Sequence, residues 1–459
     1  MNVKAGAWIM AAGLTLASGG PAASSIFNPE SFTLENGMQV VVIPNHRAPV
    51  VAHWVWYRVG TADSPSGKSG LPHFLEHLMF KATETIPQGE FSKIVARNGG
   101  NDNAVTSYDF TAYYQMIARD RLELVMGMEA DRMVNLQLTE EAVLPERDVV
   151  IEERRSRVDN EPSALLGEQL NAAQFLNHPY RLPVIGWMQE MESYTREDAI
   201  AFYRTWYAPN NAILVVAGDI TAAELAPMAE RTYGQIPSRE IPQRQRVGEP
   251  PQLAERRIEM RDERVRQPSF VRSYLAPNLS AGDRWQPYAL EVLAELFGTG
   301  GTSRLYRALV VEKGLAAGIG GYYRGTSLDP TTFRIYASPR PGVSLDDLEM
   351  AVDGEIGRLL TDGVSEEEVA RVKKRMLAEA VYARDSLSGA ARIFGTALTT
   401  GQTVEDVEAW PGRIEAVTAE EVEKVARLVL DRRRSVTGKL LPSETAETGP
   451  GEAGSGAAG

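Results

Sequence analysis

The chain has 459 residues, 43% hydrophobic and 24% charged, which suits a globular protein with more than one core and excludes a disordered, collagenous or polytopic membrane chain. The 61 acidic and 48 basic side chains leave a formal charge of −13, which argues against a protein built to neutralise phosphate backbones, so no nucleic acid is expected as a partner. There is no cysteine, so disulfides, thiolate metal sites and thiol nucleophiles are excluded, and an imidazole metal site must be drawn from His46, His53, His73, His77 and His178.

In chain order, Lys4, the apolar run Ala5–Ala17 and the small residues Gly20, Ala22, Ala23 and Ser24 read as a secretory signal peptide over 1–23. The run is too short for a full bilayer span, so no stable membrane anchor is expected, and export without cysteine points to a bacterial periplasm. Asn36-Gly37, between Phe32/Leu34 and Met38–Ile43, predicts a hairpin; Val50–Val59 predicts a strand and Leu71–Lys81 a helix. Thr195 with Asp198, and Thr418 with Glu421, are helix starts of the capping-box kind. Between Ile236 and Arg256, Pro237, Pro242, Pro250 and Pro251 accumulate without helical periodicity and predict a linker. Glu444–Gly459 lacks apolar anchors and reads as a disordered tail.

The two sides of that linker resemble each other in order. Leu71–Leu78 matches Gln286–Leu293, Thr111–Tyr114 faces Thr332–Ile335, Thr139–Glu141 faces Ser365–Glu367, and Thr195–Asp198 faces Thr418–Glu421. The expected layout is a first domain over 24–236, a linker over 237–256, a similar second domain over 257–441 and a tail over 442–459. Each domain is expected to be α+β, with an antiparallel or mixed sheet covered by helices on one side.

His73-Phe74-Leu75-Glu76-His77 is the chemical centre of the sequence. On a helix, positions i and i+4 share a face, so both imidazoles can reach one ion while Glu76 stands at the adjacent edge. A water held there could lose a proton to Glu76 and be aimed at a carbonyl. The order inverts the common His-Glu-x-x-His arrangement. A catalytic zinc needs a third protein ligand, and by spacing Glu146, Glu152 and Glu153 compete for that place.

These residues, with Asn36-Gly37, Gly99-Gly100, Asn103–Thr106, Tyr113-Tyr114, His178–Tyr180 and Ser303–Leu305, resemble the pitrilysin, or inverzincin, family of zinc metallopeptidases over about 27–440. The nearest likeness is the short two-domain branch that includes mitochondrial-processing-peptidase-like bacterial proteins. The resemblance implies one zinc ion per chain held by His73, His77 and Glu153, with Glu76 as catalytic base and Glu146 as a carboxylate supporting the site. It also implies that Asn103, Ala104, Val105 and Thr106 form an exposed strand edge to which an extended peptide adds as a further strand.

Two departures stand out. In the second half Tyr288 and Val292 replace the two histidines, although Glu291 and Glu379 persist, so that half cannot build the same metal site. Related enzymes also carry an Arg and a Tyr seven residues apart that hold the substrate and polarise its carbonyl; the matching positions here are Val310 and Ala317, with Tyr322, Tyr323 and Arg324 nearby. The reading that follows is the zinc-bearing subunit of a heterodimer whose homologous partner supplies that pair. The alternatives are a non-catalytic core or assembly subunit, or a peptide-binding protein that keeps zinc for stability. Gly298–Ser303 lacks the Gly-Lys-Ser/Thr order of a phosphate loop, and His46 has no evident partner.

Overall fold

The computed structural model describes residues 26–280 and 282–443. The signal-peptide reading of 1–23 and the tail reading from Glu444 lie outside the described residues. Among the described residues no helix is long and apolar enough to cross a membrane.

Among the described residues eleven strands form two mixed sheets: β1 (Glu30–Thr33), β2 (Gln39–Pro44), β3 (Val50–Tyr57), β4 (Asn101–Thr106), β5 (Thr111–Ala118), β6 (Ala212–Gly218), β7 (Arg256–Asp262), β8 (Ser269–Ala276), β9 (Ala316–Tyr323), β10 (Thr331–Pro339) and β11 (Ser435–Pro442). The orders are β1-β2-β6-β3-β5-β4 and β7-β11-β8-β10-β9. Without β1, both follow one scheme: first strand, fifth, second, fourth, third. In each, only the first and fifth strands run parallel. This shared topology underlies the sequence repeat. Two boundaries shift from the sequence reading, because backbone pairing extends them: Arg256 opens β7 opposite Val436, and Pro442 closes β11 opposite Asp262.

Six helices carry the functional argument: α1 (Leu71–Leu78), α2 (Glu140–Arg154), α3 (Pro162–Gln174), α4 (Gln286–Phe297), α5 (Glu366–Ala383) and α6 (Leu387–Thr399). The expectation of helices on one side of each sheet is incomplete. Val40, Val42, Val51 and Val55 turn into a core shared with α1 and its neighbours, while Val41, Ile43, Trp54 and Trp56 meet Phe394 and Leu398 of α6, which belongs to the second half. Reciprocally, α3 of the first half covers the second sheet, where Gly438 of β11 leaves room for Leu166 and Leu170. Each half thus lends a helix to the other's open sheet face. The unbroken burial of β6 from Ala212 to Gly218 is the mark of a strand covered on both faces.

Gly395 of α6 lies directly against Trp56, and a Cβ there would come within 1.9 Å of the indole, whereas a Cβ on Gly167 of α3 would meet nothing within 4 Å. Gly395→Ala is therefore expected to lower stability by about 1–3 kcal/mol through overpacking. Gly167→Ala is expected to raise it by up to about 1 kcal/mol through helix propensity alone. Denaturant midpoints of the two variants check the opposite signs.

The segment between the sheets is an embedded strap. Arg246 pairs with Asp63 at 2.8 Å, with Asp109 at 3.3 Å and with Asp329 of the second half at 3.1 Å, and Arg244 reaches Asp63 at 3.0 Å. Tyr180 donates to Asp109 at 2.6 Å, and His178 lies 3.2 Å from Asp329. The His178–Tyr180 turn therefore belongs to the junction between halves. His46, expected to lack a partner, pairs with Asp219 at 2.6 Å across 173 residues of sequence, and buried His53 is held between Gln115 and Tyr233.

Candidate metal centre and substrate edge

α1 is anchored at its start by backbone against backbone. Gly70 has φ +80°, and any Cβ there would come within 2.3 Å of the Ile185 carbonyl. Only glycine satisfies both constraints. Glu190 accepts from the Ser69 amide at 2.6 Å, and Pro72 pre-sets the first turn. Phe74, Leu75 and Leu78 anchor the helix in the core, which leaves His73 and His77 on the remaining face.

α2 crosses that face. The side chains of His73, His77 and Glu153 are 12%, 23% and 14% exposed, enclosed yet reachable. Glu153 Oε2 stands 3.1 Å from His77 Nε2 and 3.7 Å from His73 Nε2, and the three candidate ligand atoms lie within 4.8 Å of one another. That oxygen is buried between the two imidazoles and has no partner beyond them among the described residues. Two imidazoles and a carboxylate converging with one uncommitted oxygen fit a zinc ion with an open fourth position.

Of the three glutamates left open by spacing, Glu152 is 67% exposed and pairs with Arg155. Glu146 accepts from His77 Nδ1 at 3.0 Å and from Lys81. Its carboxylate thus acts on a ligand histidine and not on the reacting atoms, which makes it a positioning residue. Arg157, one turn after Glu153, holds the other Glu153 oxygen at 2.5 Å from a wide turn over Arg155–Asp159.

The electrostatics follow from burial and pairing. Burial pushes Glu76 up to about 7, opposed by the Thr106 hydroxyl that donates to it. His77 is raised to about 9 because its bonds to Glu146 and Glu153 outweigh the cost of burying its charge. Burial, then the neighbouring His77, lowers His73 to about 4. Hydrogen bonding to His77 holds Glu153 below the usual carboxylate range, and His77 and Lys81 do the same for Glu146 against its burial.

β4 is the free edge of the first sheet, running beside the triad. Asn103 and Val105 are exposed, and the Ala104 amide is held by the Asn103 side chain at 2.8 Å. A cavity of about 440 Å³ joins this edge to the triad, with Ala104, Val105 and Thr106 on one wall and Gly167, Asn171 and Val184 opposite. Sequence reasoning missed Lys81, Arg157 and Asn171, and with them Arg334 of the second half, which donates to Asn171 at 2.5 Å. Lys81, four residues after His77, offered a local signal; Arg334 offered none.

In the second half the matching positions form no such cluster. Arg413 donates to the Tyr288 hydroxyl, Val292 is buried, and Glu379 is 64% exposed beside Arg375. Val310 is buried, Tyr323 donates to the Pro277 carbonyl at 2.5 Å, and Tyr322 and Arg324 face each other at 6.0 Å. None of these lines the triad cavity.

Residues 39–186 match the profile of the insulinase family (peptidase family M16), and residues 193–376 match that of the peptidase M16 inactive domain. The seam between the two profiles precedes β6, which the backbone places in the first sheet. Zinc protease PqqE of Helicobacter pylori is 32% identical over 385 residues, covering 83% of this chain and 86% of that protein. The crystal structure of a protease from Helicobacter pylori superposes with a TM-score of 0.85 at 29% identity, covering 91% of this chain and 100% of the other. The first half of the periplasmic protease PqqL from Escherichia coli shares the fold, with a TM-score of 0.78 at 20% identity over 92% of this chain and 94% of that one.

Proposed function

The chain belongs to the M16 (pitrilysin) family of peptidases, and from that premise we propose that it is a zinc-dependent endopeptidase or oligopeptidase acting on peptides and unfolded segments. The observation that carries the reading is the convergence of His73, His77 and Glu153 within 4.8 Å, with the Glu76 carboxyl alongside and an open strand edge leading to it. When bound, zinc would polarise the scissile carbonyl and acidify the attacking water. Glu76 takes the proton of that water and delivers it to the leaving amine, with Thr106 fixing the orientation of its carboxyl. β4 offers backbone groups to an extended peptide, giving sequence-tolerant affinity, and the adjoining cavity takes a side chain. The 1–23 reading supports a periplasmic location.

Glu146 keeps the His77 ring in place, so Glu146→Gln is expected to weaken zinc about 10–100-fold while leaving the fold intact. A competitive chelator titration measures this, and wild-type affinity would remove Glu146 from the site.

The cavity's own Arg157 is paired with Glu153 and its Tyr108 packs on Tyr180, while the second-half positions Val310 and Ala317 carry neither Arg nor Tyr; this supports a two-chain enzyme, in which a homologous subunit supplies the donors that hold the developing oxyanion. Adding a homologous chain that carries the pair is expected to raise kcat/KM by about 10²–10³. Unchanged activity on such addition would make this chain a complete enzyme or a non-enzyme, according to whether it cleaves peptides alone.

A further inference from the structure

Because the two halves share one strand order, the second-half counterpart of the triad cavity can be located. α4 stands for α1, with Glu291 in the place of Glu76. α6 stands for α3, each of 13 residues, so that Arg392, Ile393 and Thr396 occupy the positions of Gly167, Glu168 and Asn171. Those six residues, with Glu76 and Glu291, line two separate cavities of about 440 Å³ each. The second half has therefore kept the volume while losing the metal ligands.

Its chemistry has changed. The walls are now Phe27, Leu279, Ile393, Ala397 and Val407. Gln402 Nε2 is buried at this cavity with no hydrogen-bond partner among the described residues, an omission that ordinarily costs about 1–3 kcal/mol. Arg392 is exposed at the same cavity, and no hydrogen-bond or ion-pair partner holds its guanidinium among the described residues. Glu291 is already engaged: its Oε2 accepts from Trp410 at 2.7 Å, and burial pushes its carboxyl up to about 7, which blunts it as an anchor for a cation.

We propose that this cavity binds an aliphatic monocarboxylate, its chain against the apolar walls and its carboxylate accepting from the Gln402 amide and the Arg392 guanidinium. Arg392 and Gln402 are both donors, and the Thr326 and Thr396 hydroxyls at the same cavity can donate as well, which favours an anion, while the walls favour a hydrocarbon. An amine would set its charge beside Arg392. No metal-ligand set stands around Glu291 among the described residues.

Octanoate titrated calorimetrically into the full chain tests this. One saturable site per chain is expected, weakened about tenfold or more in Arg392→Gln and in Gln402→Leu, with 1-octanol failing to compete. Arg392 is an exposed helix position, so its variant is expected to keep the wild-type melting temperature and the wild-type peptidase rate. Absence of saturable octanoate binding, equal binding by Arg392→Gln, or equal binding of octanol would each overturn the assignment.

Discussion

Glu76→Gln is expected to lower kcat for peptide hydrolysis by about 10²–10⁴, while zinc content stays at the wild-type level. The expectation rests on the separation of roles around one helix. His73 and His77 converge with Glu153, whereas Glu76 is bonded to Thr106 and turned toward the substrate edge. An amide keeps the shape and can still meet the Thr106 hydroxyl, but it cannot take a proton from the attacking water. Stability is expected to hold or rise, because burial already disfavours the Glu76 charge and has pushed its carboxyl up to about 7. Parallel measurement of turnover, zinc per chain and melting temperature checks all three. Near-native turnover would end the general-base assignment, and loss of zinc would make Glu76 a ligand.

The readable part of this site was the part encoded within one helical turn. His73, Glu76 and His77 sit on α1, where sequence spacing is spatial placement. Glu153 is 76 residues beyond His77, and spacing alone leaves Glu146 and Glu152 as its equals for the third ligand. A helical argument goes some of the way: seven residues are close to two full turns, so Glu146 and Glu153 share a face, and Glu152 is rotated away by about 100°. That is why Glu146 and Glu153 take the two nitrogens of His77 while Glu152 pairs with Arg155. That the chain is built of two similar α+β halves was legible from the repeat, whereas their strand order was not. The exchange of α3 and α6 was not, because an amphipathic helix announces that it has an apolar face without naming the sheet that covers it. The linker expected from its prolines is instead an embedded strap, because Asp63, Asp109 and Asp329, all distant in sequence, converge on Arg244 and Arg246, and no local spacing announces them.

His73→Ala is expected to abolish stoichiometric zinc and, with it, peptide hydrolysis. Two remaining ligands leave an ion without the chelate that holds it. The effect should also appear as lost thermal stability. An ion that binds the folded chain alone stabilises it by about 4 kcal/mol at a thousandfold excess over Kd. Chelation should therefore lower the wild-type melting temperature, and the variant should start low and respond to neither zinc nor chelator. Two rankings then cross. For zinc affinity, wild type and Glu76→Gln stand together at the top, Glu146→Gln is intermediate and His73→Ala is last. For turnover, Glu76→Gln falls to the bottom beside His73→Ala. A peptide-binding protein that keeps zinc for its fold would give the first ranking without the second, since Glu76→Gln would change no reaction. An assembly subunit with a vestigial site would give neither, so the crossing of the two orders is what separates an enzyme from both.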